Sequence, residues 1–424
     1  MRALKQTLKP FLAKRRRLVL FAASVLLIVG FNLLHYFFTP SSYLVRKADK
    51  SNNFDVGFRC LDSGLQGASC VLYDAYYATQ TFYYHCVGGD CPDLPLCSSY
   101  PRQDRPFRQG EHVFKVVNQT DGWLPRSYGS HVFILLTPFW LPNIGHVLGD
   151  DLFSIYRALS LFGLEKAHKI TVVSTTPVKQ FSERAIEVYT TASIELTSLA
   201  ELDRFTFPVL VHGLSGLSYG DKLARGGGLV LDSYREWYLQ RAGLTKEVAV
   251  RPLTFTIIRK DYDVAVHPQG PANTKDVLAW IREDYPDAAV THTTLSVLKY
   301  REQVKLLSST DILIVGPGSD YMISLFLRNF KAVLMIPLCL PSTVKGMTCE
   351  PSLGQEHEYW YQFRGSIFFV SYDDVHDEDI INATGDCTKE CLPHRSYFKV
   401  VVRRKRFMQL LQRAVRFVRS PRVL

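Results

Sequence analysis

An α/β fold with two parallel sheets is predicted by three features of this 424-residue sequence. From His131 onward, apolar runs of strand length alternate with amphipathic runs of helix length. The alternation occurs twice, on either side of a Gly/Ser-rich passage at 213–228 that contains Gly226-Gly227-Gly228. A composition that is 47% apolar supplies enough material to bury two such layers. The first half reads as strand 132–136, helix 142–162, strand 170–173, helix 182–189 and strand 207–211. The looser passage and a helical stretch at 233–239 then separate it from the second half, strand 253–258, helix 275–285, strand 289–293, helix 299–308, strand 311–315, helix 321–327 and strand 332–336. Two such domains facing across a cleft place a ligand at the carboxyl ends of their strands.

The helix expected at 142–162 carries the most informative pattern. Pro142 suits a first helical position, where its missing N–H has no intrahelical partner. Counted from there, Asn143, His146 and Asp150 share one face, while Ile144, Leu148, Leu152, Ile155 and Leu159 line the other. An amide, an imidazole and a carboxylate are thus presented together. Gly145 and Gly149 leave room for another backbone or a ligand, at roughly 1 kcal/mol of helix propensity each.

The net charge of +10 is concentrated at the two ends. Seven Lys/Arg and no acids lie in 1–17, and eight more and no acids in 403–424, so the 15 end charges leave the body at −5. A mildly acidic body excludes nucleic acid as the partner that a basic total suggests. Residues 18–38 are apolar apart from Asn32 and His35, long enough for a bilayer, and preceded by Lys14-Arg15-Arg16-Arg17. The positive-inside rule then predicts a type II signal anchor with the body in the lumen. A cleaved signal peptide is disfavoured by the length of the run and the absence of a small-residue cleavage site.

All nine cysteines follow the anchor, which suits an oxidising lumen; their proximity suggests Cys339/Cys349 and Cys387/Cys391 pairs, and five lie within 60–97. Asn118 and Asn382 head glycosylation triplets on the same side of the membrane. Residues 39–110 lack helical periodicity and read as a Cys-rich stem or cap. The tail at 404–418 is amphipathic, with Phe407, Leu411, Ala414 and Val418 on one face; it is expected to dock on the first domain rather than lie on the membrane.

Asn143-Ile144-Gly145-His146 with Asp150 resembles the Asn-x-x-His-x-x-x-Asp signature of glycosyltransferase family 61. The stretch 296–327, with Glu302-Gln303-Val304 and the run from Asp311 to Gly316, resembles that family's second signature. The resemblance covers roughly 130–420. It implies a GT-B architecture of two Rossmann-like domains facing a cleft. It also implies an inverting transferase that uses a UDP-sugar of the N-acetylglucosamine or pentose type and needs no metal or other cofactor. The chain then divides into a cytosolic basic tail at 1–17, the anchor at 18–38 and the Cys-rich stem or cap at 39–110. An acceptor-side α/β domain at 111–245, a nucleotide-sugar domain at 246–402 and the basic amphipathic helix at 403–424 follow. A glycan or glycoprotein acceptor, and a place in the Golgi or ER membrane, complete the expectation.

Inverting transfer needs a base for the acceptor hydroxyl and a counter-charge for the departing diphosphate. His146 or Asp150, with Asn143 beside them, supplies the first. Arg259 and Lys260 at a strand end, and the backbone of Gly316, Gly318 and Ser319 before a helix, supply the second. Blander readings stand beside these: His146 as an internal hydrogen-bonded histidine, Asp150 or Asp151 as a solvated acid, the Gly316–Gly318 stretch as a tight turn, and Arg259-Lys260 as a solvated strand end. Where the family usually has His-Gly-Ala-Gly-Leu, this chain has Gly318-Ser319-Asp320-Tyr321-Met322. That departure supports the alternative of a catalytically silent luminal module that binds a sugar or a partner.

Overall fold

The computed structural model describes residues 58–62, 68–86, 113–118, 131–138, 143–213, 227–244, 252–259, 270–316, 319–342, 346–350, 366–373, 375–382 and 398–420. The expected anchor at 18–38 lies outside these residues, as do the basic N-terminal tail and most of the linker. Among the described residues no helix is long and apolar enough to cross a membrane.

The architecture is mixed α/β with two main sheets, the second parallel throughout, as the alternation predicts, and the first parallel only in part. The first has the order β4-β3-β2-β8-β5-β6-β7, with β1 on β2. Its parallel part comprises β5 (His131–Leu136), β6 (Lys169–Ser174), β7 (Ile194–Ser198) and β8 (Phe205–His212). These strands carry near-continuous apolar runs because both their faces are covered: Val132 and Ile134 enter one core, Phe133 another. β1 (Phe58–Asp62), β2 (Ala68–Ala78), β3 (Thr81–Cys86) and β4 (Val113–Asn118) extend the same sheet, β2 running antiparallel to β8. The expectation of a separate stem or cap at 39–110 is therefore corrected for these residues. β1 to β3 belong to the first sheet, held there by seven register pairs from Cys70↔His212 to Tyr77↔Phe205.

The second sheet has the order β10-β9-β11-β12-β15 and is parallel throughout. Its strands are β9 (Thr254–Ile258), β10 (Ala289–Thr293), β11 (Ile312–Val315), β12 (Ala332–Met335) and β15 (Phe368–Ser371). In order of appearance this is 2-1-3-4-5, a doubly wound sheet whose order reverses between β9 and β11. A small antiparallel sheet, β14 (Gly346–Glu350), β13 (Leu338–Ser342), β17 (Phe398–Val400) and β16 (Ile380–Asn382), stands beside it. Cys70 is in a disulfide, and so, separately, is Cys339. The register sets Cys349 opposite Cys339 and Cys60 opposite Cys70.

Between the two sheets lies one layer of helices. α1 (Ile144–His146) runs through a π-helical segment (Val147–Leu152) into α2 (Phe153–Phe162); α3 (Glu183–Thr191) and α4 (Gly227–Arg241) follow. α6 (Tyr300–Ser308) and α7 (Ser319–Met322), the latter continuing as a 3-10 turn to Phe326, come from the second half and follow α5 (Thr274–Asp284). One buried cluster contains Ile134 and Val172 of the first sheet, Leu148, Tyr234 and Tyr238 of the helices, and Leu313 and Met335 of the second sheet. The two halves thus share a core across this layer. α5 and α8 (Arg404–Arg419) cover the opposite face of the second sheet. The C-terminal helix accordingly docks on the second sheet, against β12 and β15, and not on the first domain as expected. Phe407, Leu411 and Ala414 are buried in that core.

Candidate functional site

β5 ends at Leu136, and the chain re-enters helical structure at Asn143, which is extended and caps α1 with its side chain: Gly145 N–H donates to Asn143 Oδ1 at 2.8 Å. Three residues after Asn143, His146 Nδ1 stands 2.6 Å from Asp150 Oδ2. A carboxylate only accepts, so in a pair with the Asp150 carboxylate Nδ1 is the donor. The imidazole is 30% exposed and the carboxylate 9%, so a reactant can reach the ring while its partner is shielded. Asp151 is buried as well, its carboxylate accepting from the Tyr189 hydroxyl at 3.4 Å, so neither adjacent acid is solvated. Burial, with Asp151 next, pushes the Tyr189 phenol well above its usual range.

The regular helix expected over 142–162 is replaced locally by the π-segment, whose last turn closes from Phe153 N–H to the Leu148 carbonyl. Short π-turns concentrate at functional sites because a widened turn re-aims side chains. Asn143 lies at the cap rather than on the helix face, so its amide is spent on Gly145 and only His146 and Asp150 touch through their side chains.

Arg259 follows β9 and Gly316 follows β11. The register pairs Ile257 with Ile314, which brings Arg259 and Gly316 to the same level on adjacent strand ends. These are the two carboxyl ends that flank the reversal of strand order, where open α/β sheets bind their ligands. Gly270 packs against this strand end: at φ +91°, an added Cβ would stand 2.9 Å from the Ile258 carbonyl oxygen. α7 begins at Ser319 and is a single α-turn passing into a 3-10 turn, so it offers end N–H groups but little macrodipole. Lys260 and Gly318 lie outside the described residues. Asn118 closes β4 and Asn382 closes β16.

α1, carrying His146, packs on α7, the helical turn that follows β11. The residues missed by the sequence reading are Tyr234, Ser154 and Gly270. Tyr234 hydroxyl donates to the Leu148 carbonyl at 3.0 Å and Ser154 Oγ to the Asp150 carbonyl at 2.5 Å. The adjacent acids Asp150 and Asp151 within an otherwise apolar run were the available signal, since both cannot be buried and satisfied on one regular face.

Fold and site together define an α/β protein with a partly shielded His–Asp pair on a helix that packs on α7, and a second, doubly wound sheet. No known protein-family description matches the chain, and no curated protein does. Among solved structures, it is similar to a dodecameric iron-containing heptosyltransferase, TibC, in complex with ADP-D-beta-D-heptose. The identity is 12% and the TM-score 0.26, over 55% of this chain and 64% of that one, just under two thirds of its length.

Proposed function

We propose that the protein is an inverting glycosyltransferase of the Golgi or ER membrane. It would move a sugar of the N-acetylglucosamine or pentose type from a UDP-sugar to a luminal glycan or glycoprotein. The observation that carries this reading is the His146–Asp150 pair at 2.6 Å, borne on a segment that packs against the turn following β11. In the proposed reaction His146 Nε2 takes the proton of the acceptor hydroxyl and the acceptor oxygen attacks the anomeric carbon from the face opposite the diphosphate. The C–O bond to UDP breaks, and its electron pair leaves with the diphosphate. Asp150 holds the ring's tautomer and stabilises the imidazolium that forms. Arg259, Lys260 and the backbone N–H groups of Gly316, Gly318 and Ser319 meet the diphosphate charge without a metal. A type II anchor at 18–38 and glycans on Asn118 and Asn382 belong to the same proposal.

The test is thermal stabilisation of the purified full-length chain by a panel of UDP-sugars, followed by an assay for UDP release. A ligand at a hundred times its Kd stabilises by about 2.7 kcal/mol. The absence of a shift with every donor would sink the reading and favour the silent module, which the Gly318–Met322 stretch supports in sequence. Transfer is expected to survive chelation; strict Mn²⁺ dependence would instead point to Asp261 and Asp263 as ligands.

A further inference from the structure

We infer that Tyr234 is a positioning residue for His146: its hydroxyl, bound to the Leu148 carbonyl, keeps the π-turn at Val147–Leu152 from closing to a regular helix. In an α-helix the Leu148 carbonyl would accept from Leu152; here it accepts from Phe153, one residue further, and from Tyr234 at 3.0 Å. A π-turn has poorer backbone geometry than an α-turn and persists where outside groups satisfy its displaced carbonyls. Two hydroxyls do so, Tyr234 on Leu148 and Ser154 on Asp150 at 2.5 Å. Tyr234 is held from α4 by ring contacts with Phe153 at 5.4 Å and Tyr156 at 5.5 Å, and burial keeps its phenol protonated, so it acts as a donor.

The consequence for the site is geometric. Closing the turn by one residue would rotate everything before it by about 100° about the helix axis relative to α2. α2 is locked by Phe153, Ile155 and Leu159 in the core, so the rotation would fall on His146 and Asn143. His146 would swing away from α7, and its contact with Asp150, which a regular helix also permits at a spacing of four, would turn with it.

The experiment compares Tyr234→Phe with Tyr238→Phe. Tyr238 is equally buried, and its hydroxyl also caps a backbone carbonyl, Val188 at 2.7 Å, but in α3 rather than the π-turn. The full-length protein carries ¹⁵N-labelled histidine, with the His146 ring signals assigned by His146→Gln. In Tyr234→Phe these signals are expected to shift as the ring leaves its place beside α7. In Tyr238→Phe they should stay in place at a similar loss of melting temperature. Turnover should fall about 10²-fold in Tyr234→Phe alone, with the donor KM unchanged. This turnover arm rests on the glycosyltransferase reading, whereas the ring signals do not. A chain without transfer activity therefore leaves the spectral comparison to decide. Unchanged His146 signals in Tyr234→Phe, or the same change in both variants, would overturn the inference. If Tyr234→Phe does not fold, Ser154→Ala removes the other hydroxyl from the same turn and is judged by the same criterion.

Discussion

The Arg235 guanidinium, 1% exposed, donates from Nη1 to the Leu327 carbonyl at 3.0 Å and to Asn329 Oδ1 at 2.6 Å. It thereby joins α4, which leaves the first half, to the turn that follows α7 in the second. Arg184 and Glu187 of α3 make a parallel connection: Arg184 reaches the Leu298 carbonyl at 2.5 Å, and Glu187 accepts the Tyr300 N–H at 3.0 Å. With a shared core between the sheets, the halves are expected to unfold together.

Arg235→Ala should therefore destabilise both halves at once. It removes the Arg235 hydrogen bonds to the buried Leu327 carbonyl and to Asn329, a loss of about 1–3 kcal/mol. Urea unfolding followed by hydrogen exchange should show α4 in the first half and α5 in the second losing protection at the same, lowered midpoint. Loss confined to α4 would mean that the halves are energetically separate.

Stability should fall on acidification through one identifiable group. Burial lowers the pKa of His212, at the end of β8, from 6.5 to about 4. The unfolded chain therefore binds a proton between those two values that the folded chain does not. Its contribution to stability is complete above pH 6.5, is lost as pH falls toward about 4, and changes no further below that. The loss is about 3 kcal/mol at most. Urea unfolding across this window should show the slope, and His212→Gln should flatten it; an unchanged slope would assign the acid sensitivity elsewhere.

What was legible in the sequence follows from what local pattern encodes. Ile312–Val315 and Ala332–Met335 were readable because a parallel strand buried on both faces must be apolar at every position. β7 was missed because Ile194–Ser198 has alternating exposure and contains Glu195, which pairs with Lys169 at 3.0 Å at the sheet edge. The β2–β3 hairpin was missed because its two-residue turn uses Thr79 and Gln80 at φ +48° and +61°, where Asn-Gly is the usual signal. The spacing of His146 and Asp150 was visible, but the π-turn was not, because the groups that sustain it include a tyrosine 86 residues from its acceptor. Strand order is likewise a long-range property. That Arg259 and Gly316 share a switch point emerges only once β11 is known to insert beside β9.

Gly270 offers a test of that strand end without touching any proposed ligand contact. Gly270→Ala combines a disfavoured φ of +91° with a Cβ 2.9 Å from the Ile258 oxygen and 3.6 Å from Arg259 Cα. The expected cost is about 1–3 kcal/mol of stability, with weaker UDP binding as the Arg259 backbone is displaced. Gly163→Ala is the control. At φ +70° with nothing within 4 Å of its Cβ, it should cost about 1–2 kcal/mol and leave UDP binding intact. Equal UDP affinity in both variants, measured by calorimetry, would detach the β9 end from the donor site.

The division of labour between the halves can be separated in one pair of assays. Arg259 stands at the switch point of the second sheet, where the diphosphate is proposed to sit in both ground and transition states. Arg259→Ala should accordingly weaken UDP binding by about 1.5–3 kcal/mol, the contribution of a hydrogen bond to a charged group. His146 acts, in the same proposal, on the acceptor's proton, which moves only during the chemical step. His146→Ala should therefore leave calorimetric UDP binding nearly unchanged and lower turnover by about 10²–10⁴-fold. Asp150→Asn keeps an acceptor near Nδ1 but removes the charge that stabilises the imidazolium, so it should lower turnover with UDP affinity again unaffected. Equal loss of UDP binding in the Arg259 and His146 variants would place His146 in the donor site or make it structural. Wild-type turnover in His146→Ala would remove it from the mechanism and leave Asp150 as the base. A silent module would behave differently from all of these, with no transfer by the unsubstituted chain and any UDP-sugar affinity still dependent on Arg259.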